Sequence, residues 1–204
     1  MKHRRIIPFA IALLLLISLP AIAQQKLLTI DDIFDPAKKI NFNGTVPNIR
    51  WLKDGRHYLL ANDSAKTGVP KLQRIDAVTG EATPFFNSAK FESALMAVGG
   101  ITQSDAKELA NRSSYQLNND QNAVLINWKN DLLYYELGSE TALGVTNNPE
   151  EEVGETFSPD GRRLAYIRSN DMYVFDLNTK QERRLTTDGG SKILNGRLDW
   201  VYQE

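Results

Sequence analysis

The sequence predicts an all-β fold, and three observations lead to that prediction. First, residues 117–148 align with residues 157–188 without a gap when they are shifted by 40 residues. Second, short runs rich in aromatic and β-branched residues alternate with turns that contain Asp, Asn and Gly, which is typical of short antiparallel strands. Third, three to four strands in a repeat of about 40 residues match one propeller blade. The expected fold is an incomplete β-propeller of about three blades plus the start of a fourth, with a short helical insertion.

The first 23 residues have the composition of a secretory signal peptide. Basic residues precede the apolar run 6–19, and Ala21-Ile22-Ala23 forms a small-x-small cleavage pattern. The apolar run is shorter than the roughly 20 residues that cross a bilayer, so we expect cleavage after Ala23 rather than a membrane anchor. The predicted domains are a signal peptide, 1–23, and a partial amino-terminal propeller domain, 24–204. We expect a periplasmic or secreted protein that has no membrane contact after signal cleavage.

Composition excludes several functions for the predicted mature chain. The whole chain has a net charge of −1, and the predicted signal peptide contains three Lys or Arg and no acidic residue, so residues 24–204 have a net charge near −4. Because there is no basic excess, we expect no nucleic-acid partner. The sequence has no cysteine, which excludes disulfides and thiolate metal ligands. It also has no metal-ligand or phosphate-loop motif, so we expect no cofactor and no metal.

Strands can be placed individually in the last repeat. The segments 163–168, 172–177 and 183–186 are predicted strands, and polar turns at 169–171 and 178–180 separate them. A weaker copy of the repeat begins at Trp51. The predicted blades are 47–87, 115–148 and 155–188, with a fourth beginning near Asn195.

Two segments do not follow the strand pattern. Residues 29–34 predict a short helix with Thr29 as its N-cap and acidic residues in its first turn. Residues 104–112 predict a surface helix that begins with Ser104 as the capping residue. Because the second helix lies between the first two repeats, it is interpreted as an insertion between blades 1 and 2.

No complete catalytic site can be assembled from the sequence. A serine hydrolase needs a nucleophile, a base and an orienting acid, and no Gly-x-Ser-x-Gly elbow is present. Once the predicted signal peptide is removed, the remaining histidine is His57, which lies in a predicted strand and is interpreted as structural. The acidic run Glu150-Glu151-Glu152 is interpreted as a solvated loop between blades rather than a cation site. We therefore predict no catalytic residue in the chain.

The segment 199–204, Asp-Trp-Val-Tyr-Gln-Glu, is the most specific pattern in the sequence. It resembles the segment that carries a double-glutamate motif in serine exopeptidases of the dipeptidyl peptidase IV type, within the prolyl oligopeptidase superfamily. In that family the adjacent glutamates bind the free amino terminus of the substrate, and Glu204 corresponds to the first of them. The Ser-Pro-Asp-Gly turn at 158–161 and the opening segment 28–34 resemble the same family. The resemblance covers essentially all of residues 24–204.

The resemblance implies the amino-terminal propeller part of a dipeptidyl peptidase that removes dipeptides from peptide amino termini after Pro or Ala. The implied partners are peptide substrates with a free amino terminus, and the full-length protein is a candidate homodimer. The resemblance also implies that the catalytic α/β-hydrolase domain of the family is absent from this chain. Better-known relatives have an extended loop with a substrate-contacting arginine where this sequence has a tight turn at 128–131. Two alternatives stay open: a non-catalytic periplasmic propeller scaffold for protein interaction, and a related acylaminoacyl peptidase or oligopeptidase.

Overall fold

The structure is a computed structural model that describes residues 29–35, 37, 49–62, 65–66 and 69–198. The predicted signal peptide, 1–23, and the segment 199–204 with Glu204 lie outside these residues. The chain divides into two compact units, Met1–Val46 and Pro47–Glu204. Within the described ranges, every helix is too short or too polar to span a bilayer.

The described part of the first unit contains one short helix, α1 (Ile30–Phe34). Thr29 is its N-cap, and the Thr29 hydroxyl accepts a hydrogen bond from the backbone N–H of Asp32 at 3.3 Å. In return, the Asp32 carboxylate accepts a hydrogen bond from the backbone N–H of Thr29 at 3.0 Å. This reciprocal capping box satisfies donors that the first helical turn leaves unpaired. The predicted helix and its cap are confirmed.

The second unit contains, in its described residues, three four-stranded antiparallel sheets, and each sheet is built from four consecutive strands. Blade 1 consists of β1 (Ile49–Trp51), β2 (His57–Ala61), β3 (Leu72–Asp76) and β4 (Ala82–Pro84). Blade 2 consists of β5 (Gln116–Leu117), β6 (Ala123–Trp128), β7 (Asp131–Glu136) and β8 (Thr141–Gly144). Blade 3 consists of β9 (Glu152–Phe157), β10 (Arg163–Arg168), β11 (Asp171–Asp176) and β12 (Gln181–Arg184). The predicted all-β fold, an incomplete propeller with about three blades, is confirmed.

The gapless repeat of 40 residues is confirmed strand by strand. The strands β6, β7 and β8 each begin and end 40 residues before β10, β11 and β12. The turns repeat as well, because Lys129 and Asn130 have φ values of 49° and 74°, and Ser169 and Asn170 have values of 49° and 64°. Two consecutive residues with positive φ are typical of the tight type I′ hairpin turn. The tight connection predicted at 128–131 is therefore confirmed.

Two of the predicted strand positions in the last repeat are shifted. The turn contains only Ser169 and Asn170, so β11 begins at Asp171, which pairs with Arg168. The last strand ends at Arg184 rather than at Thr186, because the Thr186 side chain accepts a hydrogen bond from the backbone of β11 instead of extending the sheet. Residues 195–198 contain no strand, and the start of a fourth blade stays a prediction.

Two helices lie between blades 1 and 2, α2 (Ser88–Met96) and α3 (Gln103–Ala110). The sequence predicted the second helix but placed its cap at Ser104. The N-cap is Thr102, whose hydroxyl accepts a hydrogen bond from the backbone N–H of Asp105 at 3.1 Å. The helix α2 was not predicted, although Asn87 caps it by accepting a hydrogen bond from Lys90 N–H at 3.1 Å. The prediction of a helical insertion between blades 1 and 2 is confirmed.

Each inserted helix buries one face in the core. Phe91, Leu95 and Leu109 are fully buried and pack in one cluster with blades 1 and 2. A helix that buries one apolar face contributes much of the hydrophobic stabilisation of the region it covers. The prediction of a surface helix at 104–112 is confirmed for the exposed face of α3, which includes Ser104, Lys107 and Glu108, but it did not include the buried face.

Blade 2 is covered on both faces. Alternate side chains of a strand point to opposite faces of the sheet, and both sets are apolar in this blade. The residues of blade 2 that face the helices and blade 1 are Leu117, Val124, Ile126, Leu133 and Tyr135. The residues of blade 2 that pack against blade 3 are Leu125, Leu132 and Val145.

The acidic run that was interpreted as a solvated loop is only partly solvated. Glu150 and Glu151 are exposed, but Glu152 is the first residue of β9 and its side chain is fully buried. Its carboxylate accepts hydrogen bonds from Thr146 Oγ1 at 2.9 Å and from Asn148 Nδ2 at 2.7 Å. The interpretation is wrong at Glu152 because the start of β9 places this side chain between blades 2 and 3.

Candidate functional site

After β12 the chain leaves blade 3 and continues in sequence toward Glu204, the predicted amine-binding residue. Arg168 pairs with Asp171 across the β10–β11 turn, and Tyr173 pairs with Arg184 of β12. The loop after β12 therefore begins at the same end of the blade as the β10–β11 turn. Glu204 itself lies outside the described residues, and the structure shows how the chain is held up to Leu198.

Asp171 is the centre of this region. It is 1% exposed, and its Oδ1 accepts hydrogen bonds from Thr186 Oγ1 at 2.7 Å, Gly189 N–H at 3.0 Å and Asn195 Nδ2 at 3.2 Å. Its Oδ2 forms an ion pair with Arg184. One buried carboxylate therefore holds four points of the chain between residues 184 and 195.

The electrostatics of Asp171 favour this role. Burial by itself raises the pKa of the carboxyl group, but hydrogen bonds from Thr186, Arg184 and Gly189 outweigh burial and lower the pKa to about 2. In turn, the hydrogen bond to Asp171 raises the pKa of Arg184. The carboxylate therefore stays ionised near neutral pH and keeps its hydrogen-bond donors.

The backbone of the β10–β11 turn provides a second set of contacts. Asn170 accepts a hydrogen bond from Asn195 N–H at its carbonyl oxygen, at 3.1 Å, and its Nδ2 donates to Gly190 O at 3.1 Å. A Cβ atom at Gly189 would lie 2.4 Å from Asn170 O. Only glycine lets the loop approach the turn this closely, so the loop is tightly packed at Gly189.

A cluster of charged residues lies next to Asp171 but is internally paired. Arg168 contacts Glu182 Oε1 at 2.6 Å and Glu152 Oε1 at 3.4 Å. Its guanidinium also lies 4.1 Å from the ring centre of Tyr173. Burial raises the pKa of Glu152, although donors from Asn148 and Thr146 oppose that shift. Both carboxylates already have a cation, so this cluster has a structural role between blades 2 and 3.

The histidine that was interpreted as structural lies elsewhere, and so does Arg112 at the end of the predicted helix 104–112. His57 is the first residue of β2, and its Nδ1 is 2.7 Å from Asp54 Oδ2. Arg112 follows α3, and its guanidinium lies 5.5 Å from the ring centre of Trp128. Within the described ranges no group of three or more His, Cys, Asp or Glu side chains could hold a metal ion.

Sequence reasoning did not identify Asp171 or Asn195 as site residues. The signal was present in the repeat, because Asp131 and Thr146 correspond to Asp171 and Thr186 after a shift of 40 residues. Identical polar residues at equivalent places in an otherwise divergent repeat indicate a shared hydrogen-bond role. Nothing in the repeat indicated Asn195, because it lies beyond the aligned residues.

The three sheets define an all-β protein of the propeller type. Residues 110–204 match the family model for the N-terminal region of dipeptidyl peptidase IV. The matched part contains blades 2 and 3 and extends to Glu204. The match confirms the resemblance drawn from the sequence over this part of the chain.

Individual relatives are similar over shorter stretches. A probable dipeptidyl-aminopeptidase B from Trichophyton verrucosum is 33% identical over 84 residues, which cover 38% of this chain and 9% of that protein. Dipeptidyl aminopeptidase B from Saccharomyces cerevisiae is 32% identical over 77 residues, which cover 37% of this chain and 8% of that protein. The crystal structure of Porphyromonas gingivalis dipeptidyl peptidase 4 aligns with this chain at 17% identity and a TM-score of 0.46. The alignment covers 81% of this chain and 22% of the Porphyromonas gingivalis chain. The aligned stretches span less than a tenth of the length of these curated relatives.

Proposed function

We propose that the chain is the amino-terminal propeller part of a secreted or periplasmic serine-type dipeptidyl peptidase. The complete enzyme removes dipeptides from peptide amino termini after Pro or Ala, and a separate hydrolase domain supplies its nucleophile, base and orienting acid. The observation that carries the proposal is the match of residues 110–204, which include Glu204, to the dipeptidyl peptidase IV N-terminal region. The names of the relatives, dipeptidyl-aminopeptidase B, support the same activity.

In this proposal Glu204 binds the free amino terminus of the peptide substrate. A carboxylate holds an ammonium group through charge-assisted hydrogen bonds, which are stronger than neutral ones. The attraction is stronger in a partly enclosed cavity than in bulk water. Because the carboxylate lies at a fixed distance from the nucleophile, the bond that is cleaved is the one two residues from the amino terminus. This is the physical reason why an exopeptidase needs an amine-binding site separate from its catalytic groups.

The proposal is tested with the full-length gene product and a chromogenic Xaa-Pro substrate, in a free and an N-acetylated form. We expect cleavage of the free form and little cleavage of the acetylated one. Glu204→Ala should lower kcat/KM for the free form by roughly ten- to a hundredfold, which is the effect of losing one hydrogen bond to a charged group. The fall should be much smaller for the acetylated substrate.

Other outcomes assign the chain to one of the alternatives. Equal cleavage of the free and acetylated substrates identifies an acylaminoacyl peptidase or oligopeptidase. No cleavage of either substrate favours a scaffold for protein interaction.

We also propose export, on the basis of the basic, apolar and small residues in the order found at positions 2–23. Cell fractionation and amino-terminal sequencing of the mature protein test this proposal. The expected mature protein begins at Gln24 and occurs outside the cytoplasm. A protein that keeps residues 1–23 contradicts the predicted cleavage.

A further inference from the structure

We propose that Asp171 is a positioning residue that fixes where the chain enters the segment containing Glu204. It clamps the loop after β12 onto the β10–β11 turn, and its effect on the substrate passes through that loop. The inference rests on the proposed function, because it gives Asp171 a part in placing the amine-binding carboxylate.

The convergence of donors on one oxygen supports this role. Loops without secondary structure are usually the most variable and mobile parts of a domain. Here Oδ1 of Asp171 accepts three hydrogen bonds from donors spread over ten residues of sequence, from Thr186 to Asn195. Asn195 is held twice, since its backbone N–H donates to Asn170 O and its side chain donates to Asp171.

The contacts of Asp171 reach further along the chain than those of the sheet. Leu185 N–H donates to Met172 O and Thr186 Oγ1 accepts from Met172 N–H, so the sheet itself fixes the chain as far as residue 186. Beyond that residue, Asp171 holds Gly189 and Asn195, and the β10–β11 turn holds Asn195 through its backbone N–H. Asn195 lies nine residues before Glu204 in the sequence.

Blade 2 offers a matched control for this clamp. Asp131 occupies the equivalent position, and its Oδ1 accepts a hydrogen bond from Asn148 N–H at 3.0 Å. The same oxygen lies 3.4 Å from Thr146 Oγ1, whose hydroxyl donates to Glu152 at the shorter distance of 2.9 Å. The chain then enters β9 at Glu152 and leads to no predicted substrate contact. Asp131→Asn therefore tests the same change of side chain at a place where no positioning role is expected.

The first measurement is hydrogen exchange of the 204-residue chain. In Asp171→Asn, the backbone amides of Gly189 and Asn195 should exchange faster than in the wild type, because Gly189 N–H donates directly to Asp171 and Asn195 depends on the same contacts. In Asp131→Asn their exchange should not change. Unchanged exchange in Asp171→Asn overturns the clamp whether or not the protein is a peptidase.

The second measurement compares the full-length gene product with its variants on the free and the N-acetylated Xaa-Pro substrates. For Asp171→Asn, we expect kcat/KM for the free substrate to fall by about tenfold or more, mainly through KM. Asn195→Ala should have a smaller effect in the same direction, and it leaves the Asp171–Arg184 ion pair intact if Asp171→Asn fails to fold. The ratio of free to acetylated cleavage should fall in both variants, whereas a general loss of stability lowers both rates together.

Two results overturn the inference in this assay. One is an unchanged ratio in both Asp171→Asn and Asn195→Ala while the wild type discriminates between the substrates. The other is an equal loss of the ratio in Asp131→Asn. If the wild type cleaves neither substrate, both the proposed function and the positioning role of Asp171 are wrong. The exchange measurement still shows whether Asp171 clamps the loop, because it does not depend on activity.

Discussion

Blades 2 and 3 contain the same hairpin but use it differently. In both, an Asp begins the third strand and a Thr follows the fourth, so that the Thr hydroxyl accepts a backbone hydrogen bond from Leu132 in blade 2 and from Met172 in blade 3. At the end of blade 2 the buried acid is Glu152, which belongs to β9, the first strand of blade 3. In blade 3 the buried acid is Asp171, which belongs to the hairpin itself.

The difference determines what happens to the chain after each blade. After Thr146 the chain enters β9 within six residues, and Glu152 ties that strand to the hairpin. After Thr186 the described chain contains no further strand up to residue 198, and Asp171 holds it from the hairpin side. A buried carboxylate thus either fixes the next blade or fixes a loop, depending on which element carries it.

The largest expected effect on stability comes from truncating equivalent side chains of blades 2 and 3 that differ in burial. Leu132 is fully buried between blades 2 and 3, whereas its equivalent Met172 is half-buried on the other face of blade 3. Leu132→Ala should lower the free energy of unfolding by about 2–5 kcal/mol, since it removes buried apolar area and leaves a cavity. Met172→Ala should cost clearly less. Urea unfolding of the 204-residue chain measures both, and equal losses would contradict the view that blade 2 is the better covered blade.

The second expected effect concerns the loop that Asp171 holds. A Cβ atom at Gly189 would lie 2.4 Å from Asn170 O, whereas a Cβ atom at Gly190 would meet nothing within 4 Å. Gly189→Ala should therefore destabilise the loop by about 1–3 kcal/mol, as overpacking does elsewhere. Gly190→Ala is the matched control and should be close to neutral. Limited proteolysis reports the opening of the loop, and equal cleavage of the two variants would show that the close approach to Asn170 does not matter.

Sequence patterns were sufficient for the hairpins and insufficient for the contacts between elements. The sequence predicted the turns at 128–131 and 169–171 to within one residue at each end, because local turn chemistry determines them. The helix α2 was missed because its buried face, with Phe91 and Leu95, could also be read as part of a strand-rich region. The cap of α3 was misplaced by two residues, since Thr102 and Ser104 are both suitable capping residues.

Burial of charge was the least predictable property. Glu152 stands in a run of three glutamates, and only the start of β9 distinguishes it from its exposed neighbours. The role of Asp171 depends on Gly189 and Asn195, which lie 18 and 24 residues further along the chain. Such contacts depend on the tertiary fold, so no local pattern could indicate them.

The smallest expected effect is a difference in pH dependence between the two buried acids. The pKa of Asp171 is lowered from 3.8 to about 2, so its contribution to stability is complete above pH 3.8 and is lost as the pH falls toward 2. Burial raises the pKa of Glu152, so its folded state binds the proton more tightly than the unfolded chain does. Its contribution is therefore greatest below its ordinary pKa of 4.5 and declines as the pH rises through the raised value.

Urea unfolding midpoints of the wild type, Asp171→Asn and Glu152→Gln between pH 2 and pH 8 measure the two contributions separately. The difference between wild type and Asp171→Asn should shrink on the acid side, between pH 3.8 and about 2, because the wild type loses its carboxylate there. The stability of Glu152→Gln relative to wild type should instead rise with pH above 4.5, because the variant has no buried charge to form. The same pH profile for both variants would show that the two carboxylates are electrostatically equivalent. Glu152, which holds a strand, and Asp171, which holds a loop, would then not differ in their dependence on pH.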